Sequence, residues 1–393
     1  MNMFSPIDKQ PAGARAKSMS IMALGLRGFP GIQGGIETHA ENLYPLLVKL
    51  GCKVEVIARA CYMSPAMAGE WQGVKFRRLW SPRTRSLETI IHTFLGVLYA
   101  GVKRPDILHI HAVGPALMVP LARLLGLRVV VTHHGADYER QKWGGFARFI
   151  LRVGERFGMR FAHQRIVISK VIGNLVRARH ARDSVLIHNG VVLPQLPAST
   201  DVLRKFDLTP SRYILLVSRL VPEKRHLDLI EAFASAHLDG WKLVLVGVSE
   251  YPDHYTRAVQ AQADATPNVV CTGFQSGLAL QEIYAHAGVF VLPSSHEGLP
   301  IALLEALSYG LPVIASAIPA NLEIGLDKDR YFPLGDTNAL AALLRDAAGK
   351  PYTDAQRHQQ RAWVQERFNW ETIALKTYDT YLLASEKGEI IKP

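Results

Sequence analysis

Residues 289–315, VFVLPSSHEGLPIALLEALSYGLPVIA, constrain the fold more than any other stretch. Val289 to Leu292 are continuously apolar, as in a parallel strand covered on both faces. Pro300 suits the first helical position, where a missing N–H costs nothing, and Gly310 with Pro312 beyond it ends that helix before a second apolar run. Strand, tight loop, helix, strand: the pattern predicts a parallel α/β layer. Ser294 to Leu299 then lie at the carboxyl end of a strand and the amino end of a helix, where unpaired N–H groups and the helix dipole favour an anion such as phosphate. Glu297 in the loop and Glu305 in the second helical turn flank that point, with seven residues between them. Helical side chains lean toward the amino terminus, so Glu305 reaches back toward the cavity that Glu297 borders. Ionised carboxylates only accept hydrogen bonds and suit paired hydroxyls, such as those of a sugar and a ribose on either side of a diphosphate.

The run Glu297-Gly298-Leu299-Pro300 through Glu305-Ala306-Leu307 resembles the E-x7-E signature of the retaining GT-B glycosyltransferases of glycosyltransferase family 4. The resemblance extends over nearly the whole chain after Met19. It implies an α/β protein of GT-B architecture, two Rossmann-like domains facing each other across a cleft. The second domain is expected to hold a nucleotide-diphosphate sugar, with Glu297 at the sugar and Glu305 at the ribose, and the first to bring the acceptor.

A chain of 393 residues exceeds the size at which one core keeps growing, so two domains are expected. The reading divides it into a disordered leader (1–18), a first domain (19–193), a linker rich in Pro, Ser and Thr (194–210), a second domain (211–375) and a last helix (376–393) crossing back to the first. The leader has no apolar core like that of a secretory signal, and Leu87 to Val102, the longest apolar helical candidate, is too short and too polar to span a membrane. Cys52, Cys61 and Cys271 are odd in number and scattered, which fits a reducing cytoplasm and neither disulfides nor structural zinc. Charge is uneven: residues 19–200 carry 24 Lys and Arg against 10 Asp and Glu, whereas the remainder is acidic. The first half is therefore expected to face an anionic partner. No nucleic-acid-binding signature accompanies the charge, so an anionic membrane is preferred. Phe146 to Phe161 reads as a basic amphipathic helix, with Arg148, Arg152, Arg156 and Arg160 in a slanted row beside an apolar face.

Strands are expected at Ser20 to Leu24, Lys53 to Ala58, Ile107 to His111, Leu127 to Thr132 and Arg165 to Ser169. The glycine-rich loop from Gly25 to Gly35 lacks the G-x-G-x-x-G spacing, which weakens a nicotinamide-binding reading. Gly34-Gly35 resembles instead the family's glycine pair, whose backbone approaches the donor phosphates. His134, in the run His133-His134-Gly135, matches the family histidine at the interdomain cleft, and the sequence leaves open whether His133 shares its role. Tyr138 to Trp143 resembles the acceptor side of polysaccharide-synthesising members. Ile187-His188-Asn189-Gly190 resembles the turn leading out of the first domain, although Val192 stands where the family usually has Asp.

In the second half, strands are expected at Tyr213 to Val217 and Lys242 to Val246. Arg219 and Lys224 match the family's cation pair on the donor diphosphate, with Arg225 where Gly is common. Cys271 and Phe274 lie in the segment that the resemblance places beside the nucleotide base. The resemblance further implies retention of anomeric configuration, no metal or other cofactor, and a glycan or lipid-linked acceptor, as in bacterial polysaccharide synthesis. His134, Arg219, Lys224 and Glu297 are the expected catalytic residues. A sugar-nucleotide epimerase of the same architecture would form no glycosidic bond, and a non-catalytic sugar-nucleotide-binding protein would show no turnover.

Overall fold

The computed structural model describes residues 18–63, 69–82, 87–139, 144–249 and 252–386. The arginine, glutamine, lysine and tryptophan at 140–143, and most of the leader, lie outside the described residues. Two sheets form the framework. The first contains β1 (Ser20–Leu24), β2 (Lys53–Arg59), β3 (Glu70–Trp71), β4 (Val74–Leu79), β5 (Ile107–His111), β6 (Val129–His133), β7 (Gln164–Val167) and β8 (Val185–Leu186), in spatial order β3-β4-β2-β1-β5-β6-β7-β8. Its pairs are parallel except for the β3–β4 hairpin. The second contains β9 (Tyr213–Val217), β10 (Lys242–Val246), β11 (Val269–Gly273), β12 (Val289–Leu292), β13 (Val313–Ser316) and β14 (Tyr331–Phe332), all parallel, in order β11-β10-β9-β12-β13-β14.

The strands are Val-, Ile- and Leu-rich because helices cover both of their faces; every residue of β5, β6 and β12 is buried. In each sheet the chain reverses its direction of travel beside the first strand, between β1 and β5 and between β9 and β12. Open α/β sheets collect ligands at such switch points, outside the carboxyl ends of the strands. The two switch points face one another here.

Several elements differ from the sequence reading. Pro300 is the N-cap, with φ −75° and ψ 105°, and the helix runs Ile301–Ser308. The free N–H groups of its first turn therefore start one residue later than expected. The segment read as a linker contains the helix Asp201–Lys205, because Leu203 is a core residue and Glu282 accepts a hydrogen bond from the Val202 N–H at 2.9 Å. The β3–β4 hairpin was not expected. Its turn takes positive φ at Gln72 (47°) and Gly73 (81°), the geometry of a tight two-residue hairpin connection. The amphipathic helix spans Gly145–Phe161. The helix Leu87–Lys103 keeps Glu88 in its apolar setting because Arg59 pairs with it at 3.0 Å.

The last helix, Trp370–Glu386, packs against Gly35–Lys49 of the first domain, with Trp370, Ile373, Ala374, Tyr381 and Ala384 in the same apolar cluster as β1 and β2. Gly190 lies flat on the Trp370 ring, where a Cβ would come within 2.6 Å of the indole.

Candidate active site

A cavity of about 680 Å³ lies between the two sheets at their facing strand ends. From the second domain it receives Arg219 and Lys224 from the turn after β9, the loop Glu297 to Pro300 after β12, and Glu305 from the helix Ile301–Ser308. Phe274 enters from the loop after β11. From the first domain come Gly34 and Gly35, at the start of the helix Gly35–Lys49, and His134 just beyond β6. Residues 271 positions apart in the chain, Gly34 and Glu305, thus line one cavity.

Cys271 is not brought to this cavity. It sits within β11, packed against the apolar core, and burial raises its thiol pKa. The strand ends two residues later, and the loop that follows, Phe274 to Gly277, reaches the cavity instead. His133 does not reach it either. Its ring is fully buried, accepting at Nδ1 from the Gly135 N–H (3.2 Å) and donating from Nε2 to Glu155 (2.9 Å). The two adjacent histidines therefore differ: His133 pins the strand end, and His134 lines the cavity.

Two glycines mark close approaches. A Cβ at Gly34 would meet Glu37 Oε2 at 2.2 Å and Arg27 Nη2 at 2.3 Å. Those groups form a buried ion pair at 2.9 Å that shapes the glycine-rich loop, and Arg27 also donates to the Gln33 carbonyl at 2.6 Å. Burial raises the Glu37 pKa, but the Arg27 charge outweighs it and holds that carboxyl below the usual range. A Cβ at Gly298 would lie 2.1 Å from the His134 carbonyl oxygen, so the loop carrying Glu297 seats directly on the first domain. Asn189 ties the same junction, donating from Nδ2 to the Leu299 carbonyl (3.0 Å) while its Oδ1 accepts from His39 Nδ1 (3.0 Å).

The two carboxylates expected to read the donor differ in state. Glu297 is ion-paired with Lys224 across the cavity floor. Glu305 accepts a hydrogen bond from the Tyr284 hydroxyl at 3.1 Å, and burial pushes its pKa up to about 7. It is therefore part-protonated at neutral pH, whereas the sequence reading treated both carboxylates as simply ionised. The basic side chains Arg219 and Lys224 and the helix terminus at Ile301 lie on the second-domain side of the cavity, together with the carboxylates of Glu223, Glu297 and Glu305.

Beneath His134 lies a group of rings that the sequence reading missed. His39, His111 and His134 each bring one nitrogen within 4.8 Å of the others, a spacing that a divalent cation could exploit. Each ring already spends one nitrogen on another partner, however: His39 Nδ1 on Asn189, and His111 Nδ1 and His134 Nε2 on each other at 2.9 Å. No metal is assigned to them. A signal was available, since His109 and His111 occupy alternate positions on β5 and so share a face.

Two family profiles match the chain: "Glycosyl transferase 4-like domain" over residues 34–190 and "Glycosyl transferases group 1" over residues 203–362. The chain belongs to the group 1 glycosyl transferases and has their GT-B fold. Among relatives, "O-antigen chain mannosyltransferase B" of Escherichia coli is 26% identical over 49% of this chain and 51% of its own length. "2-deoxystreptamine N-acetyl-D-glucosaminyltransferase" of Streptomyces fradiae is 28% identical over 65% of each. The match thus spans less than two thirds of either relative. Among solved structures, sucrose-phosphate synthase from Thermosynechococcus elongatus superposes with TM-score 0.80 at 22% identity, covering 93% of this chain and 98% of that one. Anabaena HepE in complex with UDP-glucose gives 0.75 at 18%, covering 92% and 99%.

Proposed function

We propose that this glycosyltransferase moves a hexosyl group from a UDP- or GDP-linked sugar to a glycan or lipid-linked acceptor, retaining the anomeric configuration, as in bacterial polysaccharide assembly. The observation that carries this reading is the convergence of Arg219, Lys224, Glu297 and Glu305 on one cavity with the Gly34–Gly35 turn opposite. Cations and a helix terminus on one side suit a diphosphate, and carboxylates at both ends of it suit the hydroxyls of sugar and ribose. The S. fradiae relative named for N-acetylglucosamine transfer and the structure solved with UDP-glucose support a sugar-nucleotide donor.

Arg219 and Lys224 stabilise the charge that builds on the leaving diphosphate, so the chemistry proposed needs no metal or other cofactor. Retention through a covalent intermediate would require a free carboxylate about 3 Å from the anomeric carbon. Glu297 is held by Lys224, and Glu305 is bonded to Tyr284 and part-protonated. Those states favour same-face attack assisted by the leaving phosphate. A thermal-shift screen against UDP-, GDP- and ADP-sugars tests the donor: a ligand at a hundred times its dissociation constant adds about 2.7 kcal/mol of stability. No shift with any of them would overturn the reading, and product analysis would distinguish transfer from epimerisation, which forms no glycosidic bond.

The acceptor is proposed to be reached at the inner face of the cell membrane. Phe146 (80% exposed), Phe149, Arg152, Arg156 and Arg160 present one mixed apolar and basic surface on the helix Gly145–Phe161. Arg148 is the exception to the expected row, being partly buried with its Nε enclosed. No described helix is long and apolar enough to cross a membrane, so attachment would be peripheral. At about 1 kcal/mol per cation, the three exposed arginines raise partitioning onto an anionic surface by roughly a hundredfold at low salt. Cosedimentation with liposomes should show this gain for anionic over neutral vesicles, and its loss when Arg152, Arg156 and Arg160 are changed to Gln. Equal binding to both vesicle types would refute membrane attachment through this helix.

A further inference from the structure

His134 is the cavity-facing end of a chain of buried rings that starts in the last helix. The Tyr381 hydroxyl lies 2.7 Å from His109 Nδ1, and the Thr132 hydroxyl lies 2.7 Å from His109 Nε2. The Tyr44 hydroxyl is 2.5 Å from His111 Nε2 and 3.2 Å from His109 Nδ1. His111 Nδ1 is 2.9 Å from His134 Nε2. Tyr44, His109, His111 and Tyr381 are all fully buried.

Burial lowers the pKa of His109 to about 3 and carries those of His111 and His134 well below the usual range, with neighbouring imidazoles adding to the effect. Each ring is neutral at physiological pH, with one N–H donor and one acceptor nitrogen. A phenol also has a single proton to give. His109 Nδ1 pairs with Tyr381 at the shorter distance and Tyr44 accepts from the Tyr381 hydroxyl, so the Tyr44 proton goes to His111 Nε2. His111 must then carry its own proton on Nδ1 and donate it to His134 Nε2. That leaves the His134 proton on Nδ1. Among the described residues Nδ1 makes no hydrogen bond within the protein, and His134 lines the cavity. The opposite direction would require Tyr44 to donate back to Tyr381, against the bond between the two phenols. Burial raises both phenol pKa values, and that bond lowers the one of Tyr44 and raises the one of Tyr381, as expected when Tyr381 is the donor.

We infer that Tyr44 and His111 are positioning residues that fix His134 as an N–H donor toward the cavity, with Tyr381 of the crossing helix setting the direction of the chain. The bond partner on one nitrogen of an imidazole sets the tautomer and hence what the other can do. His134 thereby offers a hydrogen bond to a sugar oxygen in the cavity and does not serve as a proton acceptor. The role in transfer rests on the function proposed above; the tautomer does not.

The test is long-range ¹H–¹⁵N correlation on protein labelled at histidine nitrogen, with the His134 signal identified by its loss in His134→Gln. The native protein is expected to show His134 protonated on Nδ1. Tyr44→Phe, which keeps the buried ring and removes only the hydroxyl, should shift that signal toward the Nε2-protonated form. With the donor found in the thermal-shift screen, the same variant should lower kcat by roughly tenfold to a hundredfold, the scale for losing a group that orients an imidazole, while donor KM stays nearly constant. Tyr381→Phe should act in the same direction on both readouts. An Nε2-protonated His134 in the native protein, an unchanged tautomer in both variants, or one equivalent of divalent metal bound at these rings would overturn the relay. Absence of turnover with an Nδ1-protonated His134 would refute the proposed activity and leave the relay intact.

Discussion

Lys224→Ala is expected to lower kcat by roughly a hundredfold or more, the loss typical of removing one preorganised donor from a site of developing negative charge. The ammonium has two tasks. It neutralises Glu297 in the free protein, and it is poised beside the position proposed for the diphosphate. Removing it takes away a favourable charge and also the Lys224–Glu297 ion pair, and so increases the repulsion between Glu297 and an anionic ligand. Arg219→Ala should cost less, because Glu297 keeps Lys224. In Lys224→Ala/Glu297→Gln the repulsive component disappears while the sugar contact is also lost, so the two effects should not add. Steady-state kinetics on the two single variants and the double variant measure this coupling. Near-normal turnover in Lys224→Ala would remove the residue from the proposed leaving-group site.

The fold was most legible where burial leaves a continuous apolar run. The bounds of β1, β5, β9, β10 and β12 follow from such runs, because strands covered on both faces have no polar side to blur them. Legibility fell where tertiary contact overrides local composition. The helix Asp201–Lys205 lies in a stretch rich in Pro, Ser and Thr, and what makes it helical is the anchoring of Leu203 in a core built from distant segments. Pro300 carried the right residue type for a helix start but not the position, since cap and first turn differ by one residue in such signals.

The site divides in the same way. Arg219, Lys224 and Glu297 follow strands and Glu305 lies in the second turn of a helix; the family resemblance, with the Glu297–Glu305 spacing, singled them out, and the structure brings them to one cavity. His133 and His134 are adjacent and chemically identical; only the position of Glu155, 22 residues from His133, separates their roles. The ring chain was beyond the sequence altogether, because its decisive bond joins His109 to Tyr381 across 272 positions. Cys271 illustrates the converse: the loop after its strand, Phe274 to Gly277, reaches the cavity, while Cys271 itself packs against the core.

Glu305→Gln is expected to make the protein more stable at pH 8 while weakening its hold on nucleotide. Burial raises the Glu305 pKa from 4.5 to about 7. A carboxyl whose folded pKa is raised favours the folded state fully below its unfolded pKa, and that contribution is lost as pH rises through about 7. At pH 8 the native protein therefore carries a carboxylate in a setting that prefers a neutral group. Glutamine has the same shape, stays neutral, and can still accept from Tyr284. The gain at pH 8 should be on the order of 2 kcal/mol, less than the full shift because the group borders a solvated cavity, and it should vanish near pH 4. Binding should respond in the opposite sense. If the ribose hydroxyls donate to an ionised Glu305, affinity of the native protein for a nucleoside diphosphate falls by up to about tenfold per pH unit below the pKa. The glutamine variant should bind more weakly at pH 8 and lack this component. Because it retains the titration of the nucleotide itself, the difference between the two proteins isolates Glu305. Calorimetric titration at pH 8 and pH 6, with thermal unfolding at the same values, provides both readouts. An unchanged nucleotide affinity in Glu305→Gln at pH 8 would exclude a ribose contact, and an unchanged melting temperature would show that Glu305 is hydrated well enough to ionise freely. A site residue held in an unfavourable charge state, relieved only by its ligand, is the stability cost expected of a preorganised binding site.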